Sequence, residues 1–175
     1  MGKRMLMYHP AQDANHCVFR TLLILEHMVH ETMDVAVYRL IDFYILFPHL
    51  LKFLEPLPTQ LRPYKQILQN IPEPFENLAN TKRILFELEP LQTVALHNLL
   101  ATDLIELDIF KSQRLKRSSE NLPDELKNAL KTSHLANTEW FRMLINEFPT
   151  LNFIGKSGLK KRTGLMEFRY DVEPK

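Results

Sequence analysis

Two histidines on the first predicted helix are the simplest candidates for metal chemistry. His27 and His30 lie three residues apart and are flanked by Glu26 and Glu31, a spacing that lets two imidazoles of one helix approach the same ion. Zinc hydrolases instead place their histidines four apart with an intervening glutamate, and no third ligand is visible beside this pair. We therefore favour an exposed polar helix face over a metal site.

A cysteine beside a histidine is the second candidate, for nucleophilic chemistry. His16 and Cys17 are adjacent, and adjacent helical side chains point about 100° apart, so the imidazole is not placed to act as a base for the thiol. Free cysteine is among the most frequently buried residue types, and we predict a packing role for Cys17. As the chain's single cysteine, it forms no internal disulfide, which fits a reducing compartment such as the cytoplasm.

A third candidate is the sequence Gly155-Lys156-Ser157, which matches the end of a phosphate-binding P-loop. That loop needs another glycine five residues before Gly155, where this chain has Thr150, and an apolar helix after it. Nucleotide binding is therefore disfavoured. Because the sequence also shows no Ser/His/Asp order, paired carboxylate motif or cysteine cluster, we expect a non-catalytic protein with no cofactor and no metal.

Positive charge is concentrated in the C-terminal third. The formal net charge of +1 excludes a protein held on nucleic acid by bulk charge alone, but residues 111–175 carry 13 Lys and Arg against 8 Asp and Glu. Such residues are commonly solvated surface, and contact with phosphate or an acidic partner is the alternative. The two basic groups are Lys111, Arg114, Lys116 and Arg117, and Lys156, Lys160, Lys161 and Arg162.

The elements that position these residues begin with two helices. Asp13 can cap the first, whose apolar residues recur at helical spacing from Val18 to Val29. The second runs from Met33 to Pro48 and is apolar nearly all round, so it must be covered by the chain's own core, which we favour, or by another protein. Residues 56–74 follow with five prolines and no glycine, which predicts a stiff connection.

The second half of the chain predicts a helix-turn-helix. Two helical segments at 79–88 and 91–103 are separated at Pro90. Further along the chain, the predicted elements are a short strand at 104–111, a helix capped by Asp124 and a helix at 134–147 that Pro149 ends.

The last segment changes to a period of two. Residues 151–154 and 165–170 are aromatic-rich, and three of the four glycines lie between them, where positive φ values are easily adopted only by glycine. This pattern predicts a β-hairpin with a basic tip, which acts as the wing of a winged helix-turn-helix.

The predicted fold class is therefore mainly α with a small β-hairpin, a winged helix-turn-helix with an N-terminal helical extension. We divide the chain into an N-terminal helical partner-binding region at 1–55, a proline-rich strap at 56–78 and a winged helix-turn-helix domain at 79–175. The apolar run Met5–Pro10 is too short for a signal peptide or a membrane span, so no membrane contact is expected.

Several unusual stretches of the sequence resemble one family, the small middle component of bacterial ABC-three-component conflict systems, a group that includes the Lamassu anti-phage and anti-plasmid systems. The stretches are Tyr8–Ala11 with Asn15–Arg20, Arg39–Pro48, and Gly158–Asp171. The resemblance implies a non-enzymatic winged-helix adaptor in the bacterial cytoplasm. It would sit between an SMC-like or RecN-like ABC ATPase and an effector, often a nuclease, and reach DNA through the complex.

Two sets of residues fit that adaptor role. Aromatic anchors dominate interface energies, and Arg20 can serve a charged pair with a partner, although a buried intramolecular pair with Asp42 is an equally good interpretation. The predicted partner-binding residues are Phe19, Arg20, Asp42, Phe43, Tyr44 and Phe47. The residues predicted to contact DNA or an acidic partner are Lys156, Lys160, Lys161 and Arg162.

A stand-alone winged-helix DNA-binding protein or regulator is the alternative function. In that case the segment 91–103 would enter a groove of the duplex. The segment contains no Arg or Lys, and few of its side chains suit base edges beyond Gln92, His97 and Asn98. The adaptor is therefore the preferred hypothesis.

Overall fold

The first helix, α1 (Ala14–His27), begins where the sequence predicts. A computed structural model describes residues 13–75, 78 and 80–166. In it, Asp13 Oδ1 accepts hydrogen bonds from the backbone N–H groups of Asn15 at 2.7 Å and His16 at 3.4 Å, which satisfies donors that the first turn leaves open. The predicted cap is confirmed.

The apolar second helix is covered by the chain itself. Helix α2 (Val35–Leu46) buries nine of its twelve residues, and Phe43 and Tyr44 are at most 1% exposed. The helix ends before Pro48, where a 3₁₀ segment (Pro48–Phe53) continues the chain. Of the two covers considered for this helix, the core of the same chain is the one that forms.

The proline-rich strap contains helical turns. A 3₁₀ segment (Thr59–Tyr64) leads into the short helix α3 (Lys65–Gln69). Leu61, Leu68 and Ile71 are buried and anchor the strap to the core.

Helix α4 (Thr81–Ala101) is continuous through Pro90, so the predicted break and its helix-turn-helix are wrong. A proline inside a helix costs about 3 kcal/mol. The buried residues of α4 nevertheless form one stripe on both sides of Pro90, from Leu85 and Leu88 to Leu96 and Leu99. Burying each such leucine is worth about 1.5–3 kcal/mol, so packing of the whole stripe outweighs the proline.

The small sheet lies elsewhere than predicted. Strands β1 (Met33–Asp34) and β2 (Arg114–Leu115) pair antiparallel, with Met33 opposite Leu115. The segment 104–111, predicted as a strand, contributes only a bridge from Ile105 to Arg117 and then forms helix α5 (Leu107–Lys111).

Helices α6 (Asp124–Lys131) and α7 (Glu139–Glu147) lie where the sequence predicts helices. Pro123 occupies the N-cap position of α6, so Asp124 is its first residue rather than its cap. A 3₁₀ turn (Leu135–Asn137) precedes α7, and another (Phe148–Thr150) follows it at Pro149.

The predicted basic hairpin tip is a helix, α8 (Leu159–Thr163), which corrects the wing prediction for these residues. Leu159 is fully buried, and Leu159 N donates to Asn152 O at 2.8 Å, so the segment folds back onto the residues before it. Gly164 ends α8 with a φ of 64°, the left-handed C-terminal cap that favours glycine. Of the second predicted hairpin run, residues 167–170 lie outside the described residues.

One hydrophobic cluster runs from Leu22 to Leu165 and includes buried residues of all three predicted regions. Helix α4 packs along α1 and α2. The fold is thus mainly helical with a small two-stranded sheet, as predicted at that level, while the three-part division stays a prediction. Within the described residues, none of the helices has the length and apolar character needed to cross a membrane.

Candidate functional site

A buried polar cluster joins α1, α2 and α4. Arg20 on α1 donates to both carboxylate oxygens of Asp42 on α2, from Nε at 2.6 Å and from Nη2 at 3.1 Å. Gln92 on α4 donates to Asp42 Oδ2 at 3.0 Å. Asp42 and Gln92 are fully buried and Arg20 is 7% exposed. A bidentate ion pair of this kind is strong because its two hydrogen bonds are charge-assisted and have a fixed geometry.

The cluster extends through three uncharged side chains, Cys17 and Thr21 on α1 and Tyr38 on α2. The hydroxyls of Thr21 and Tyr38 lie 2.7 Å apart, and Thr21 donates to the carbonyl oxygen of Cys17 at 2.8 Å. The Cys17 sulfur lies 3.8 Å from the Tyr38 hydroxyl and 3.9 Å from Asp42 Oδ2. Every polar group of this part of the cluster therefore has a partner inside the protein.

Burial sets the protonation of the cluster. It raises the pKa of the Cys17 thiol to about 11, with the Asp42 charge as a second cause, and it raises the pKa of Tyr38 well above its usual value. Burial opposes the charge on Arg20, but the hydrogen bond and charge of Asp42 outweigh it and raise the Arg20 pKa. At neutral pH the thiol is protonated, so Cys17 is not an activated nucleophile.

Arg39 closes the outer side of the cluster. Its guanidinium donates to Glu89 O at 3.0 Å and to Thr93 Oγ1 at 3.1 Å, both on α4 around Pro90. Gln92 Nε2 donates in return to Arg39 O at 3.1 Å. The polar side chains thus act as a clamp that fixes α4 against α1 and α2.

The predicted partner-binding residues lie mostly inside the core. Phe43 packs against Tyr44 and Phe47 with ring centroids 5.5 and 5.2 Å apart, and Phe19 is half-buried. Packing within the chain accounts for these aromatics, and the intramolecular Arg20–Asp42 pair is the one of the two interpretations that the structure contains. In this conformation these buried rings offer no surface to a partner, and their partner-binding role stays a prediction.

The two histidines are engaged by backbone carbonyls. His27 Nδ1 lies 3.0 Å from Leu23 O, and His30 Nε2 lies 2.7 Å from Asn146 O. Across residues 13–75, 78 and 80–166, no group of three or more His, Cys, Asp or Glu side chains is placed to hold a metal ion. Both histidines therefore help to hold the fold, and His30 links the loop after α1 to the end of α7.

The first basic group is balanced by acidic side chains of the same chain. The ion pairs of its four residues connect it to α1, to the loop after α1, to the strand β1 and to the region of α5. They are Lys111–Asp108 at 3.0 Å, Arg114–Asp34 at 3.6 Å, Lys116–Glu31 at 2.8 Å with Glu106 at 3.2 Å, and Arg117–Glu26 at 2.6 Å.

The second basic group lies on and before α8, next to the strap. Arg162 donates to the carbonyl oxygens of Ser157 and Pro56, and Arg162 O accepts from Glu55 N at 3.1 Å. Lys160 Nζ lies 5.9 Å from the centre of the Phe153 ring, while Lys156 and Lys161 are exposed. Arg162 is thus a structural residue of the segment, and the three lysines supply its surface charge.

Sequence reasoning missed two features of this region. Gln92 is a polar residue within the apolar stripe of α4, a signal of a buried partner that the predicted break at Pro90 obscured. The other feature is an exposed phenylalanine, Phe53, which is 66% accessible and lines a groove beside the strap. The apolar run Leu50–Leu54 just before the strap is its sequence signal.

A comparison with protein families places residues 6–171 on a model described as ABC-three component (ABC-3C) system Middle Component 5. The match spans nearly the whole chain. No curated protein and no solved structure matches it.

Proposed function

Because the chain belongs to the Middle Component 5 family of ABC-three-component systems, we propose that it is a non-catalytic adaptor within such a system. In this role it holds an effector, such as a nuclease, at the heads of an SMC-like ABC ATPase in an anti-phage or anti-plasmid complex of the Lamassu kind. Any contact with DNA is made through the complex. The family match along residues 6–171 is the observation that carries the proposal.

The use of the reactive side chains supports the non-catalytic part. Cys17, Arg20 and Asp42 satisfy one another or their helix neighbours inside the core, and His27 and His30 hold backbone carbonyls. Side chains engaged in these contacts stabilise the fold, and a stable fold with fixed surfaces is what an adaptor needs.

The burial of Gln92 weighs against a stand-alone DNA-binding protein. In that alternative, Gln92 is one of the few side chains of the segment 91–103 suited to base edges. It is fully buried and hydrogen-bonded to Asp42 and Arg39, so of the three candidate base-reading side chains only His97 and Asn98 are exposed.

Co-purification tests the adaptor directly. The tagged chain is co-expressed with the untagged products of its neighbouring reading frames, and we expect an ABC ATPase and a second component to elute with it at fixed stoichiometry. The isolated chain is assayed in parallel for nuclease and ATPase activity and for footprints on random-sequence duplex DNA. Absence of both neighbours from the eluate, turnover by the isolated chain, or protection of one defined duplex would each overturn the proposal.

A further inference from the structure

A pocket of about 400 Å³ lies between the C-terminal end of α2 and the last part of the strap. We name it the His49 pocket. Two of its lining side chains, His49 and Glu73, are polar, and two are leucines. The other four carry apolar rings and belong to Phe47, Pro48, Pro72 and Pro74. A hydrocarbon cavity of roughly 150 Å³ holds one benzene ring, so this pocket has room for a substituted ring.

His49 is buried without a hydrogen-bond partner. The residue is 7% exposed, and in the part of the chain that the structure describes neither nitrogen of its imidazole makes a hydrogen bond. The buried polar side chains of the cluster on α1, α2 and α4 are, in contrast, all hydrogen-bonded. Because buried polar groups are nearly always hydrogen-bonded, an imidazole that lacks this bond at the wall of a pocket indicates a ligand that supplies it.

The charges around the His49 pocket favour a neutral ligand. Burial lowers the pKa of His49, while the charge of Glu73 opposes this effect and that of Lys52 adds to it, so the imidazole is uncharged at neutral pH. Glu73 is itself ion-paired with Lys52. An anionic ligand would lie beside the Glu73 carboxylate, and a cationic ligand would meet a carboxylate whose charge is already balanced. A neutral ligand avoids both costs of burying an unpaired charge.

We propose that the His49 pocket binds a neutral phenol-type ring, with its hydroxyl hydrogen-bonded to the His49 imidazole and its ring packed against Phe47 and the prolines. A neutral imidazole has one donor and one acceptor nitrogen, and a hydroxyl complements either of them. The faces of an aromatic ring attract the C–H edges of neighbouring rings, which the apolar walls of the pocket supply. A purely apolar ligand would leave the imidazole unsatisfied.

Two sources can supply such a ring. It belongs either to a small molecule or to a tyrosine side chain of another component of the ABC-three-component system. The chemistry of recognition is the same in both cases, and only the second source rests on the proposed function.

Three related compounds test the His49 pocket in the full-length chain. The compound p-cresol carries both the aromatic ring and the hydroxyl, toluene lacks the hydroxyl, and methylcyclohexanol lacks the aromatic ring. We expect p-cresol to shift the NMR signals of the isotope-labelled His49 imidazole in a saturable way. It should bind about tenfold more tightly than either control, the effect of one hydrogen bond or of the aromatic contacts. Equal affinities for the three compounds, or no saturable shift at His49, would overturn the proposal.

Matched substitutions test the two parts of the pocket separately. His49→Phe keeps a ring in the wall but removes both nitrogens, and we expect it to lower the affinity for p-cresol about tenfold, to that of toluene. Pro74→Ala removes an exposed ring of the wall and should weaken p-cresol and toluene alike by about threefold; it decides the matter if His49→Phe does not fold. His134→Phe, at an exposed histidine, is the control and should bind p-cresol as the wild type does. An affinity for p-cresol that is unchanged in folded His49→Phe or in Pro74→Ala would contradict the assignment.

A photoreactive diazirine derivative of phenol distinguishes the two sources of the ring. In the isolated chain we expect it to label residues 46–49 or 72–74, as identified by mass spectrometry of the peptides, and labelling confined to other residues would overturn the proposal. In the co-purified assembly, protection of the same residues assigns the ring to a partner component, and unchanged labelling assigns it to a small molecule. Both results agree with a pocket for a phenol-type ring.

The outcomes separate this inference from the proposed function. The titrations and the labelling of the isolated chain involve no partner, so they stand even if the chain captures neither neighbour and the adaptor function fails. If the chain retains its partners but p-cresol does not bind, only the His49 pocket assignment fails.

Discussion

Arg20 and Asp42 form a charged pair that water barely reaches. The Coulombic gain of such a pair offsets the cost of removing two charges from water, so the pair adds less to stability than its short distances suggest. What it fixes is geometry, because Asp42 also accepts from Gln92 and thereby brings together side chains from three helices.

Removing one charge of the pair should reveal the energetic cost of the buried charge that remains. We expect Arg20→Met to lower the free energy of unfolding by about 3–5 kcal/mol, because the Asp42 carboxylate stays buried without its counter-charge. Urea denaturation followed by circular dichroism measures the change. The double variant Arg20→Met with Asp42→Leu should recover much of the loss, and a double variant as unstable as the single one would contradict this account.

The buried thiol predicts a pH dependence at the alkaline end. Since burial raises the pKa of Cys17 from 9.0 to about 11, its contribution to stability is complete below pH 9.0 and is lost as the pH rises through about 11. We expect the unfolding free energy of Cys17→Ala to fall less steeply over this range than that of the wild type. Tyr38 and Tyr44 titrate in both proteins, so parallel curves would show that Cys17 does not contribute.

Residue types predicted the local contacts but not the distant ones. The Asp13 cap is predictable because its carboxylate lies two and three residues before the N–H groups that donate hydrogen bonds to it. The Arg20–Asp42 pair crosses 22 positions and stayed one of two interpretations, and Gln92 joins Asp42 across 50 positions. No helical or strand period connects residues at those separations, so only the packing of α1, α2 and α4 reveals the cluster.

At the scale of elements, tertiary packing in helix α4 overrides the local helix-breaking effect of a proline. Pro90 predicts a break because it lacks an N–H group and its ring crowds the preceding turn. The apolar stripe from Leu85 to Leu99 continues in register past it, and Arg39 binds the carbonyl of Glu89 beside it. The apolar residues of the stripe can be seen in the sequence. Only the structure shows that α1 and α2 cover them, and this burial is what offsets the cost of the proline.

Helix α8 shows the same conflict at the glycine-rich segment. Glycines between two aromatic runs favour a hairpin, yet a buried Leu159 and a left-handed Gly164 build a short helix instead. Gly158 is required where α8 begins, because a Cβ there would lie 2.4 Å from Ile154 O.

This close approach gives a test of the α8 conformation. We expect Gly158→Ala to lower the free energy of unfolding by about 2 kcal/mol or more, since the backbone of 154–158 must shift to admit the methyl group. The neighbouring Ser157→Ala, an exposed position, should change it by less than about 0.5 kcal/mol. Thermal and urea unfolding measure both, and equal stabilities would favour the hairpin over the helix.

At the scale of the whole molecule, the shared core bears on how the chain folds. The buried stripe of α4 faces α1 and α2, which belong to the predicted N-terminal region, and the polar clamp lies in the same contact. A fragment that begins after the strap would leave this stripe open to water.

Truncation therefore tests the three-part division. We expect the fragment 79–175 to lack a cooperative unfolding transition, while the full chain unfolds in a single one. Calorimetry and circular dichroism distinguish the two, and adding the separately produced fragment 1–78 should restore cooperativity. A fragment 79–175 that melts sharply by itself would establish it as an independent domain.

The contacts of Arg162 decide how a scan of the second basic group must be interpreted. Its guanidinium binds Pro56 O in the strap and its carbonyl oxygen binds Glu55 N just before it, so a defect in Arg162→Ala reports on backbone architecture. Lys156→Ala and Lys161→Ala remove charge at exposed side chains and leave the contacts of Arg162 with Glu55 and Pro56 in place. Neutralising all four residues at once would combine the loss of the Arg162 backbone contacts with the loss of lysine charges. Only the separate variants distinguish these two effects.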